Sequence, residues 1–352
     1  MRHLLSLFVL VASLPSLPAC STIGDPGGSP DAYPHGGTGQ FRILGRDEVG
    51  GSALGLRGHA LDGSMVAEGY LFYAAAPLLE EPPEVPEEHP PGEVFWDAFG
   101  PRAIHRAAPR DDRGFNPGSP ILSASESWEG SEVFDPWIVI DGERARMYYA
   151  AEGGIGVAEA SSVDGTFTRV GSGPILEAAG GASPRRPSVV RGVDGASWMY
   201  FDDGGAIGVA RSEDGVAFER VDGDSSTAAI DPLVIRGEDL GEEPEVNVGM
   251  PGAVALDTPT GRRLVRVYYE SRREDGSVVA YVAGSADGIA FERHELPVME
   301  EADVRFPAPV LLDDRITLLH VNLPATGTYQ MRALGVAVSP AAVSFAPPDN
   351  DE

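Results

Sequence analysis

Hydrophobic and polar positions alternate in short runs along most of this chain, and the apolar members are β-branched and aromatic rather than spaced for a helix. The clearest stretch has Trp137-Ile138-Val139-Ile140, a turn at Asp141-Gly142, Met147-Tyr148-Tyr149-Ala150, Ile155-Gly156-Val157-Ala158, a Ser162-Val163-Asp164-Gly165 turn, then Phe167, and it closes at Pro174-Ile175-Leu176. Such runs bounded by Gly and Asp predict antiparallel strands, with Asp-Gly supplying the left-handed residue of a tight turn. No apolar run of helical length and period interrupts them, so few helices are expected.

The same unit recurs. A second copy has Arg186-Pro187-Ser188-Val189-Val190, Trp198-Met199-Tyr200-Phe201, Ile207-Gly208-Val209-Ala210, Ser212-Glu213-Asp214-Gly215 and Pro232-Leu233-Val234. A third has Met250-Pro251, Val265-Arg266-Val267-Tyr268-Tyr269, Ala280-Tyr281-Val282-Ala283, Ser285-Ala286-Asp287-Gly288 and Pro297-Val298-Met299. Fainter copies flank these. One has Tyr70-Leu71-Phe72-Tyr73, Ile104-His105-Arg106-Ala107 and Pro120-Ile121-Leu122; the other has Phe306-Pro307, Ile316-Thr317-Leu318-Leu319 and Leu334-Gly335-Val336-Ala337. A period of about 50 to 60 residues suits four short strands with their turns. The pattern predicts an all-β, five-bladed β-propeller with four-stranded antiparallel blades over 41–345, with an acidic disordered tail at 346–352. Proline is expected to open each first strand, where an amide can be spared. The Gly and Ala of Ile-Gly-Val-Ala are expected to permit close packing near the axis.

The repeat, with Asp135-Pro136 before an apolar strand, resembles the five-bladed propellers of the arabinanase, levansucrase and invertase type of glycoside hydrolases. That resemblance implies a sugar funnel at one end of the channel and three carboxylates from different blades, two of them flanking the glycosidic bond in opposite protonation states. Residue by residue, Asp135 fits the Asp-Pro position. Aligning Asp62-Gly63 on Asp141-Gly142 puts Leu56 at that position in the first unit, while the later units offer Arg186, Met250 and Phe306. One carboxylate in place of three counts against hydrolysis. Asp135, Arg185, Arg186, Glu245, Asn247 and Arg305 are the candidate ligand-binding residues, Asp135 also being the best catalytic candidate. The Ser-x-Asp-Gly turns are read as structural, and 77–93 as a solvated loop.

Composition sharpens this. The formal net charge is −28 and all 26 basic residues are arginine, so the surface repels nucleic acid and anionic head groups. No ligand spacing for a metal, no phosphate-cradling loop and no serine-nucleophile elbow is present, so no cofactor is expected. Residues 1–19 have a basic start, an apolar run from Leu4 to Leu14 and a small-residue end at Ala19, the build of a signal peptide. Leu17-Pro18-Ala19-Cys20 resembles the lipobox of bacterial lipoproteins, which implies lipidation of Cys20. Residues 20–40, rich in Gly and Pro, then form a tether. The expectation is an extracytoplasmic, outer-membrane-anchored monomer that binds a carbohydrate or other polar ligand without efficient catalysis. An active furanosidase and an envelope interaction scaffold are the alternatives, and fold resemblance alone does not choose among them.

Overall fold

The computed structural model describes residues 41–43, 59–86, 95–109, 115–116, 118–179, 183–192, 194–223, 229–237, 245–257, 263–274, 276–294, 296–299, 304–312, 315–322 and 333–338. The signal peptide, Cys20, the tether and the tail lie outside them. After β1 (Arg42–Ile43), the first sheet contains β2 (His59–Ala67), β3 (Tyr70–Pro77), β4 (Ala103–Ala107) and β5 (Ser119–Leu122). The second has β6 (Val133–Asp141), β7 (Arg144–Ala151) and β8 (Gly154–Ala160), with β9 (Thr168–Arg169) and β10 (Leu176–Glu177) both pairing β8. The third repeats this with β11 (Arg185–Arg191), β12 (Ser197–Asp202) and β13 (Ala206–Ser212), the last pairing both β14 (Glu219–Arg220) and β15 (Leu233–Arg236). The fourth has β16 (Glu245–Asp257), β17 (Arg263–Arg273), β18 (Val278–Ser285) and β19 (Glu292–Arg293). The fifth joins β20 (Val304–Leu312), β21 (Arg315–Asn322) and β22 (Ala333–Val338) to β1, which pairs β22 antiparallel.

The first strands of the sheets stand side by side in a closed circuit: β2 meets β6, β6 meets β11, β11 meets β16, β16 meets β20, and β20 returns to β2. The fold is thus an all-β propeller of antiparallel sheets. The second and third sheets carry a fifth short strand, so uniform four-stranded units do not hold. In those two, the segment after the Ser-x-Asp-Gly turn pairs part of the third strand and the closing segment pairs the rest.

Two sequence expectations change in their reasons. The glycine of Ile-Gly-Val-Ala is not an axial feature. Gly156 and Gly208 sit across from Tyr149 and Phe201, and a Cβ on either would stand 2.6 or 2.5 Å from the opposing ring. Nor do the prolines open their strands. Pro136, Pro187, Pro251 and Pro307 lie within β6, β11, β16 and β20 at a register shift, because a bulge removes the ladder bond that proline cannot make.

The sheets are joined at their seams by the turns. In the third sheet Asp214 Oδ1 accepts the amides of Val216 and Ala217 at 2.8 and 2.9 Å, and Ser212 Oγ accepts that of Gly215 at 2.9 Å. Gly215, at φ +74°, then presents its carbonyl to Tyr148 Oη of the second sheet at 2.9 Å. The fourth sheet repeats the device, Tyr200 Oη donating to Gly288 O at 3.0 Å. In the second sheet the donor is Arg106 of the first, at 2.7 Å from Gly165 O. The structural reading of these turns therefore stands, and their recurrence follows from the recurrence of the seam.

Candidate ligand-binding site

The bulges build a ring at the N-terminal ends of the inner strands. Asp135, Arg186, Met250 and Phe306, each followed by proline, have φ of +52°, +49°, +53° and +55°. A left-handed backbone at a side-chain-bearing residue costs about 1–3 kcal/mol, so four equivalent cases mark one repeated construction. In the first sheet the hairpin turn falls at Glu68-Gly69 and the register shift at Gly63. This corrects the sequence alignment: Gly63, not Leu56, occupies the position equivalent to Asp135. Asp62-Gly63 has the hairpin composition but lies inside β2, whereas the turn itself is Glu68-Gly69.

Three of the four bulge amides are taken by carboxylates of the preceding sheet. Arg186 N–H donates to Asp135 Oδ2 at 3.2 Å, Met250 N–H to Asp202 Oδ2 at 3.2 Å, and Phe306 N–H to Glu270 Oε1 at 2.6 Å. Gly249 makes room for the second of these, since a Cβ there would fall 2.1 Å from Asp202 Oδ2. At this level Asp135, Arg186 and Phe306 are buried. Asp135 and Arg186 are 2% and 0% exposed, with Arg186 Nη1 4.0 Å from Asp135 Oδ1. The Arg186 guanidinium also lies 5.4 Å from the Phe306 ring centroid. The one carboxylate that matched the glycosidase pattern is therefore buried against an arginine and a backbone amide.

Above this layer is a more open rim. Arg185 is exposed, its Cζ 5.3 Å from the Phe134 ring centroid. Arg102 Cζ stands 3.8 Å from the same centroid and 4.9 Å from that of the half-buried Trp96. Arg102 grips Glu132, donating from Nε to Oε2 at 2.9 Å, with a second bond to Oε1. Burial alone would raise the Glu132 carboxyl, but these bonds outweigh it and hold it below the ordinary range. Asp202 moves the other way: burial pushes it up against the amides of Met250 and Gly204.

Of the six candidates, the structure brings Asp135 and Arg186 into direct contact, with Arg185 beside them on β11. Asn247 is exposed and lies against Gly205, whose carbonyl accepts the amide of Val248 at 3.1 Å. Arg305 faces Glu270 at 3.5 Å. Glu245 opens β16, and its side chain lies outside the described residues. Arg102, Glu132, Phe134, Asp202 and Glu270 escaped the sequence reading. Asp202 and Glu270 hold the same place on their second strands, two residues after Tyr200 and Tyr268, and aligning the repeats at those tyrosines shows them.

No protein-family model matches the chain, and no curated protein matches it by sequence. Solved structures do match in fold. An endo-arabinase from Bacteroides thetaiotaomicron superposes with a TM-score of 0.55 at 13% identity, covering 84% of this chain and 96% of that one. An exo-1,5-alpha-L-arabinanase from a bovine ruminal metagenomic library gives 0.54 at 10% identity, covering 80% and 94%. The RS223 beta-xylosidase gives 0.52 at 15% identity, covering 85% and 94%. These likenesses are of fold: the chain shares the propeller architecture of those structures.

Proposed function

We propose that this protein is a five-bladed, glycosidase-like propeller that binds a carbohydrate at the rim of its axial end and has lost the hydrolytic machinery. The five sheets and the closed circuit of their first strands support the blade count. The observation that carries the functional reading is the slot ring itself: Gly63, Asp135, Arg186, Met250 and Phe306 supply one carboxylate where glycoside hydrolysis needs a facing pair. That carboxylate is spent on Arg186.

One observation favours a second reading, an active hydrolase. Asp202 and Glu132 have protonation shifted in opposite directions, as an acid and a base require. Both are committed to structural bonds, which favours binding. Incubation with arabinan, fructan, xylan and galacturonan oligomers is expected to give no cleavage while at least one glycan shifts the thermal midpoint. Turnover that disappears in both Asp202→Asn and Glu132→Gln would establish the hydrolase instead.

The second part of the proposal is the address: export by residues 1–19 and tethering to the outer membrane through lipid on Cys20, as a monomer. About 0.8 kcal/mol per buried methylene makes two or three acyl chains a firm anchor. Cys20→Ser is expected to move the protein from the membrane fraction to the soluble one; an unchanged distribution would refute the anchor.

A further inference from the structure

We propose that Arg185 reads a carboxylate on the bound glycan, so that the ligand is an acidic, uronate-bearing saccharide rather than a neutral one. The inference rests on the rim-binding reading above and assigns the ligand class to that site.

Three of the arginines at this end already face a carboxylate. Arg102 is gripped by Glu132 through two hydrogen bonds, and Arg186 is buried against Asp135. Arg305 faces Glu270. Arg185 differs from all three: it is exposed and among the described residues forms no ion pair, its charge acting only at longer range on Glu132 and on its cross-strand partner Asp202. Its guanidinium is steadied by the Phe134 ring at 5.3 Å, a cation–π contact that leaves the N–H edge unspent. A planar fork of donors held on an aromatic ring matches a carboxylate bidentately. Beside it, the half-buried Trp96, reached through Arg102 over the same Phe134, offers an aromatic surface at the same rim. Ligand sites join such apolar surfaces to a few placed polar groups.

The net charge selects the size of the anion. With a formal charge of −28, the surface opposes a long polyanion over a Debye length of roughly 8 Å. A short oligosaccharide whose carboxylate docks on Arg185 meets one local cation instead.

The test is calorimetric titration of the full-length protein in detergent with galacturonic acid trimer, galactose trimer and free galacturonate. The acidic trimer is expected to bind about tenfold or more tighter than the neutral one, with affinity falling as salt rises. Arg185→Ala is expected to abolish that preference without moving the thermal midpoint, and Arg185→Lys to retain part of it. Equal affinity for the two trimers, or a preference unchanged in Arg185→Ala, overturns the acidic assignment and leaves rim binding standing. Free galacturonate binding as tightly as the trimer overturns it in favour of a simple carboxylate site. Binding of neither trimer overturns both readings.

Discussion

The left-handed residues before Pro136, Pro187, Pro251 and Pro307 set the chemistry of the axial end. Each bulge turns an amide out of its ladder, and a buried donor left unmet costs about 1–3 kcal/mol; at Arg186, Met250 and Phe306 that amide is met by a carboxylate from the sheet before it. At Asp135 the acceptor is itself a bulge residue, and its charge is met by a wholly buried Arg186. Removing one member of a buried ion pair costs about 3–5 kcal/mol, whereas replacing both with apolar groups is often neutral. Arg186→Met is therefore expected to lower the unfolding free energy by about 3–5 kcal/mol. The double variant Arg186→Met/Asp135→Leu is expected to recover most of that loss, as read by urea denaturation. Additive losses would mean that the two side chains do not interact.

At the scale of the element, the Ser-x-Asp-Gly turn serves its own hairpin and the neighbouring sheet together. Asp214 collects two amides and the Ser212 hydroxyl, and backbone donors lower its carboxyl to about 2. A depressed folded-state value means that the stabilisation is complete above the ordinary carboxylate range and is lost as pH falls toward 2. Asp214→Ala is expected to cost about 1–3 kcal/mol at neutral pH, and its deficit relative to the parent protein should close on acidification. A deficit independent of pH would place the effect in packing. This turn was legible in the sequence because its bonds are local and its composition repeats. The same locality made Asp135, Arg186, Met250 and Phe306 findable, since proline fixes their place in each unit. The register of the first sheet is not legible in this way, because its bulge falls at Gly63 with no proline after it and its turn holds Glu68-Gly69. Arg102, Glu132 and Phe134 stayed hidden for another reason. They meet across a sheet boundary, with 30 residues between the ion-pair partners, and no repeat position announces them.

Across the whole molecule, a closed circuit of sheets needs one seam where the chain's two ends meet. Here β1 supplies the outer strand of the fifth sheet, Arg42 opposite Val338 and Ile43 opposite Ala337. Phe41, one residue earlier, is buried in the fourth sheet. Its amide donates to Val298 O at 2.8 Å and its ring meets Tyr268 edge-on at 5.9 Å. Three consecutive residues thus join the last two sheets, and two strand bonds alone are too few to hold an edge against fraying. Phe→Ala in a core typically costs about 3–5 kcal/mol. Phe41→Ala is expected to lose stability at the low end of that range and to speed hydrogen exchange selectively at the β22 amides, because β1 is its cover. Phe41→Leu, which keeps most of the apolar contact, is expected to preserve β22 protection. If exchange rises equally in every sheet, the seam is not a separate weak point and the propeller opens only as a unit; if it rises at β22 alone, closure depends on Phe41.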